Sequence, residues 1–118
     1  MVDKESDQNG AILISTFSDE KSLIALSKTV IMKKRVCACV SYTAVKSIYM
    51  WDSNLQQQEN EFLAFFKTTS DCVEKLKAEI KNNHPYDIPE IVVIKMSDVS
   101  SEYLNWMYKN THKETTDV

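Results

Sequence analysis

"VCACVSYTAVKSIYMW", Val36 to Trp51, is the stretch whose reading decides the fold. Val36, Ala38, Val40 and Tyr42 alternate with Cys37, Cys39 and Ser41. Further on, Val45, Ser47, Tyr49 and Trp51 alternate with Lys46, Ile48 and Met50. A period of two is a strand's, because successive side chains point to opposite faces. The stretch is one long strand, or two divided by a bend near Thr43 and Ala44. Asp52 to Gln58 is polar and reads as the turn of a hairpin. Asn60 to Thr68 returns as a strand, with Phe62, Ala64 and Phe66 on one face and Glu61, Leu63, Phe65 and Lys67 on the other.

Outward from the hairpin, both flanks repeat one pattern. On the N-terminal side, Ala11 to Phe17 is a compact apolar run, read as a buried strand. Ser18 is placed as an N-cap, followed by Asp19 and Glu20 at the positive end of a helix. Leu23, Leu26 and Val30 carry that helix to about Met32, where Lys33, Lys34 and Arg35 close it. On the C-terminal side, Ser70 and Asp71 cap a helix bearing Val73, Leu76 and Ile80. It stops at Asn82-Asn83-His84-Pro85. Pro89 opens a strand from Glu90 to Met96, and Ser100 or Ser101 caps a last helix with Tyr103, Leu104, Trp106 and Met107.

The order is β-α-β-β-α-β plus a helix: an α+β, ferredoxin-like antiparallel sheet with two helices on one face. One domain is expected over 11–110, with a disordered lead-in over 1–10 and a polar tail over 111–118. The hairpin is too long for its sheet, since strands run ~5–6 residues. Its overhang carries Tyr49, Trp51 and Phe62 rather than the charges that protect an open edge, so pairing with another subunit is inferred.

Composition narrows the function. The chain of 118 residues is 43% hydrophobic and 26% charged, with a net charge of −3. Nucleic acid is excluded, because phosphate binding needs clustered Lys and Arg. No run approaches the ~20 apolar residues of a membrane span. With a single glycine, Gly10, phosphate-cradling loops are excluded. Three cysteines without a secretory leader point to reduced thiols and a cytoplasmic setting. The two histidines are His84 and His112, the latter in the polar tail, and no base, nucleophile and orienter assemble an enzyme.

Five segments carry a family resemblance: "RVCACV" (Arg35 to Val40), "SIYMW" (Ser47 to Trp51), "EFLAFFKT" (Glu61 to Thr68), "HPYDIPEI" (His84 to Ile91) and "YLNWM" (Tyr103 to Met107). In order and spacing they resemble the CutA divalent-cation tolerance family, from about Ile12 to Tyr108. The resemblance implies a ferredoxin-like subunit in a tight homotrimer with hairpin strands paired between subunits. It also implies tolerance of copper and other divalent metals, copper(II) binding in some members, and no catalysis.

Site residues follow from that resemblance. His84 matches the His of the His-Pro-Tyr motif, a region that supplies copper ligands in some members. The other reading of His84 is a helix stop whose ring donates to free carbonyls. Ser15 stands where some members have Cys, and Asn83 where some have a second His, so copper(II) binding is expected to be weak. Cys39 matches the family cysteine, and Cys37 stands where Ala is usual; both read as packing thiols or as a soft-metal contact. Cys72 is read as incidental. Arg35, Glu61, Lys67 and Glu90 match polar family positions, with Glu61 and Lys67 expected to ion-pair across subunits. Tyr49, Trp51, Tyr86, Tyr103 and Trp106 are interface anchors or line a cleft between subunits. Met50 and Asp52-Ser53 replace a family aromatic and a Glu-Gly turn, so the hairpin tip is expected to pack differently. The expected function is divalent-ion tolerance by a homotrimer. The alternative is a signalling or scaffold trimer like the PII regulators, binding a small ligand between subunits.

Overall fold

The structure, a computed structural model, describes residues 8–112. Strands β1 (Gly10–Phe17), β2 (Cys39–Trp51), β3 (Asn54–Thr69) and β4 (Val92–Lys95) form an antiparallel sheet in the order β2-β3-β1-β4. Helices α1 (Glu20–Lys28) and α2 (Val73–Asn82) follow β1 and β3, and α3 (Ser101–Lys109) ends the fold. This is the expected α+β ferredoxin-like layout. Leu13 and Phe17 of β1, Ala64 and Phe66 of β3, Leu23 and Leu26 of α1, and Leu76 and Ile80 of α2 make one buried core. Their alternation on the strands and their i, i+3 or i+4 spacing on the helices put every one on an inward face.

Local chemistry moves several boundaries. Asp19, not Ser18, caps α1: its carboxylate accepts from Ser22 N at 2.7 Å and from Ser22 Oγ at 2.9 Å. A π-turn over Thr29–Lys33 extends α1 to its basic end. A 3-10 turn, Ser70–Cys72, precedes α2. β4 is shorter than Glu90 to Met96: residues 92–95 pair with β1, Met96 adds a last bond from its N–H to Gly10 O at 3.0 Å, and Glu90 and Ile91 stay outside the ladder.

The hairpin departs most from expectation. Its turn is two residues, Asp52 and Ser53, both left-handed at φ 51° and 64°, the geometry that matches a hairpin's twist. Gln56, Gln57 and Gln58, read as turn, belong to β3 and pair with Tyr49, Ile48 and Ser47. The irregularity lies opposite Lys46, where Glu59 and Asn60 of β3 face that single residue of β2 as a bulge, rather than at a bend at Thr43 and Ala44. β1 covers β3 only over residues 62–69, so residues 54–61 have β2 as their single neighbour. An arm therefore projects from the sheet and stretches the molecule to 52 Å, against 31 and 22 Å in the other directions.

Of the lead-in and tail, residues 1–7 and 113–118 lie outside the described residues. Gly10 already opens β1, Thr111 is buried, and His112 N donates to Arg35 O at 3.0 Å. His112 is thus part of the packed domain. No helix among the described residues is long and apolar enough to cross a membrane.

Candidate functional site

α2 ends because Asn83 turns back on it, its Nδ2 donating to Glu79 O at 2.9 Å. The helix-stop role expected of His84 therefore belongs to Asn83. His84, one residue on, is released toward the end of β1. There it stacks on Phe17 with ring centroids 4.3 Å apart, and Nε2 lies 3.1 Å from Ser15 Oγ. Tyr86 N donates to His84 Nδ1 at 3.1 Å. An Nδ1 that accepts leaves the neutral ring's proton on Nε2, so Nε2 donates to Ser15 and both nitrogens are engaged. Burial lowers the His84 pKa, with the Thr16 backbone opposing it.

Tyr86 turns the other way and donates to Glu61 Oε2 at 2.7 Å. Glu61 is 4% exposed, so its carboxylate depends on that hydroxyl. Burial first, then the bond to Glu61, push the Tyr86 pKa well above its ordinary value. Between the hairpin arm and the loop carrying Pro85 and Glu90 lies a cleft of about 770 Å³. Tyr49, Trp51, Glu61, Tyr86 and Glu90, all singled out in the sequence, line it together.

The remaining candidates stand at the other end of the sheet. Cys39 pairs with Lys67 and Phe17 with Phe62, five positions apart on β3, or about 17 Å at the strand rise. Cys39 and the His84 ring on Phe17 thus belong to different regions. Lys67 Nζ donates to Ser41 Oγ at 3.1 Å, and Cys39 Sγ is 4.0 Å from the same oxygen. Within the chain, Glu61 and Lys67 thus take separate partners, Tyr86 and Ser41. Tyr103 and Trp106 stack on each other at 5.4 Å along α3. Arg35 is left-handed at φ 58° and receives His112 N on its carbonyl. Cys37 is a core thiol: fully buried, donating to Cys39 O at 3.4 Å, and pushed up to about 12 by burial.

One cluster escaped the sequence reading. Asp71, Cys72 and His112 place a carboxylate oxygen, a thiol and an imidazole nitrogen within 4.8 Å of one another. His112 Nε2 is 2.9 Å from Asp71 Oδ2 and 3.2 Å from Cys72 Sγ. Cys72 is buried, and burial raises its pKa. No spacing rule joins positions 71, 72 and 112; only the docking of α3 beside the start of α2 does.

Residues 11–110 match the family described as "CutA1 divalent ion tolerance protein". The divalent-cation tolerance protein CutA of Pyrococcus horikoshii is 36% identical over 102 residues, 86% of this chain and 98% of that protein. Its counterpart in Thermotoga maritima is 32% identical over 96 residues, 81% and 93% of the two chains. Among solved structures, CutA1 from Pyrococcus horikoshii has a TM-score of 0.82 at 36% identity, covering 87% of this chain and 99% of that one. The Thermus thermophilus protein has a TM-score of 0.79 at 32% identity, covering 86% and 98%.

Proposed function

The chain belongs to the CutA1 divalent ion tolerance family, and from that premise we propose that it serves divalent-cation tolerance as a cytoplasmic homotrimer, not as an enzyme. The projecting hairpin carries this reading. Ile48, Met50, Trp51 and Leu55 are 69%, 60%, 49% and 62% exposed on an arm that β1 does not cover. Among the described residues no strand pairs with the outer edge of β2 or of β4, and β4 exposes Val92, Val93 and Ile94. Two different open edges on one sheet suit head-to-tail pairing that closes into a ring. Such a contact should bury more than ~2,000 Å² per pair. Light scattering tests the assembly: a trimer is expected, and a stable monomer at micromolar concentration overturns it.

Copper(II) or another divalent cation is the ion proposed for His84. The ring must first give up its bond with the Tyr86 amide or the Ser15 hydroxyl, so binding there is weak. Cys39 is the thiol to vary next. Calorimetry with copper(II) on the wild type and on His84→Ala tests this, and equal binding by both removes His84 as a ligand. The aromatic-lined cleft favours a second reading: a PII-like signalling trimer holding a small ligand against Tyr49, Trp51 and Tyr86.

A further inference from the structure

We propose that Asp71, Cys72 and His112 form a binding site for a zinc-class divalent cation. The ligands are Cys72 Sγ, His112 Nε2 and an Asp71 carboxylate oxygen, with the fourth position left to water. The site stands apart from His84, the cleft and the hairpin, so it neither rests on the trimer nor falls with it.

Chemistry selects the ion. A thiolate, an imidazole and a carboxylate are the donor types zinc takes, whereas magnesium and calcium take oxygen. Zinc bonds of ~2.0–2.3 Å in a tetrahedral shell set ligand atoms roughly 3.3–3.7 Å apart. The observed 2.9 Å from Nε2 to Asp71 Oδ2 and 3.2 Å from Nε2 to Cys72 Sγ need opening by only about half an ångström. Asp71 is exposed and Cys72 buried, so an ion enters past the carboxylate and ends against the sulfur.

The tautomer of His112 is set for ligation. Thr111 Oγ1 donates its own proton to Met107 O at 3.0 Å, which leaves its oxygen to accept from His112 Nδ1 at 2.6 Å. Nδ1 therefore keeps its proton, and Nε2, which faces both Asp71 and Cys72, is the nitrogen left to take an ion. Fixing one imidazole nitrogen by a hydrogen bond so that the other can bind is how proteins orient metal-ligating histidines. The ring is held further by a stack on Tyr108, 5.6 Å between centroids and 6° from parallel. Its backbone sits at φ 68°, a costly conformation that tends to persist where the surroundings enforce it.

A second observation points to a thiolate at this place. Thr69 Oγ1 is fully buried without a hydrogen bond of ordinary geometry, and it lies beside the Cys72 sulfur. A buried hydroxyl without an acceptor is uncommon. A metal-bound thiolate would give it one. Binding displaces the Cys72 thiol proton and any proton shared between Nε2 and Asp71; both go to solvent.

The test uses metal-free, full-length protein titrated with cobalt(II) and zinc(II). Wild type is expected to take one cobalt per chain with a thiolate-to-cobalt charge-transfer band. That band disappears in Cys72→Ser and persists in Cys39→Ser and His84→Ala. His112→Gln, which leaves the core intact, should weaken zinc by at least ~100-fold, beyond what loss of an outer-shell partner costs. Absence of the band in the wild type overturns the site, as does its survival in Cys72→Ser or its loss in Cys39→Ser. If Cys72→Ser does not fold, His112→Gln and Asp71→Asn decide: full zinc affinity in both overturns the proposal, and a shared loss supports it.

Discussion

His84 and His112 each follow the end of a helix, stack on an aromatic ring and touch a small hydroxyl, yet their rings are turned in opposite senses. At His84, Nδ1 accepts the Tyr86 amide and Nε2 faces Ser15, so no lone pair is left over. At His112, Nδ1 gives its proton to Thr111 and Nε2 faces a carboxylate and a thiol. One ring ties a loop to a strand; the other is pre-set to hold a cation. What an imidazole can do is decided by the partner of its other nitrogen, and that partner is a matter of tertiary packing. A motif locates a ring without orienting it.

Three changes would break or sharpen this contrast. The largest effect is expected from Phe17→Ala, which removes both the stack under His84 and a fully buried core ring. It should cost ~3–5 kcal/mol, seen as a fall in the denaturation midpoint, with little change in zinc binding. A loss under 1 kcal/mol would show that His84 is not held by the core. Thr111→Val is next. Stability should fall by ~1 kcal/mol, while zinc affinity drops ~10–100-fold because Nδ1 is no longer fixed. Unchanged zinc affinity would mean that the Thr111 bond does not orient the ring.

The smallest effect is one of pH. His84 titrates lower in the folded chain than its ordinary 6.5, chiefly because burial disfavours its charge. The unfolded chain then binds the proton more readily. The stability tied to neutral His84 is complete above about 6.5 and is lost as pH falls from there through the lower folded value. The denaturation midpoint should therefore drop from about pH 7.5 to about pH 5.5, and by less in His84→Gln. Equal drops in the two proteins would remove His84 as the cause.

Much of the fold was legible because burial imposes periods. Leu13, Phe17, Ala64 and Phe66 face a core, and so they alternate. The hairpin tip was misread where burial stops: Gln56 to Gln58 have no core to face within one chain, and so they look like a turn. Asp52-Ser53 lacks the glycine that usually marks a two-residue turn. In the cleft, Glu61, Tyr86 and Glu90 were legible as residues, but the Tyr86–Glu61 bond was not. His112 was lost altogether, since a lone His in a polar stretch has no pattern. Its partners Asp71 and Cys72 are some 40 positions away in sequence and meet it only once α3 has docked.

The central claim is that the two imidazoles are opposite tautomers and that only His112 takes zinc without first giving up a bond that holds its loop. Long-range proton–nitrogen correlation spectra of the histidine rings, recorded above neutral pH with and without zinc, test it directly. The account predicts a protonated Nε2 on His84 that zinc leaves unmoved, and a protonated Nδ1 on His112 whose Nε2 shifts on addition of one equivalent. A zinc-induced shift at His84 with none at His112, or the same tautomer in both rings, would contradict it.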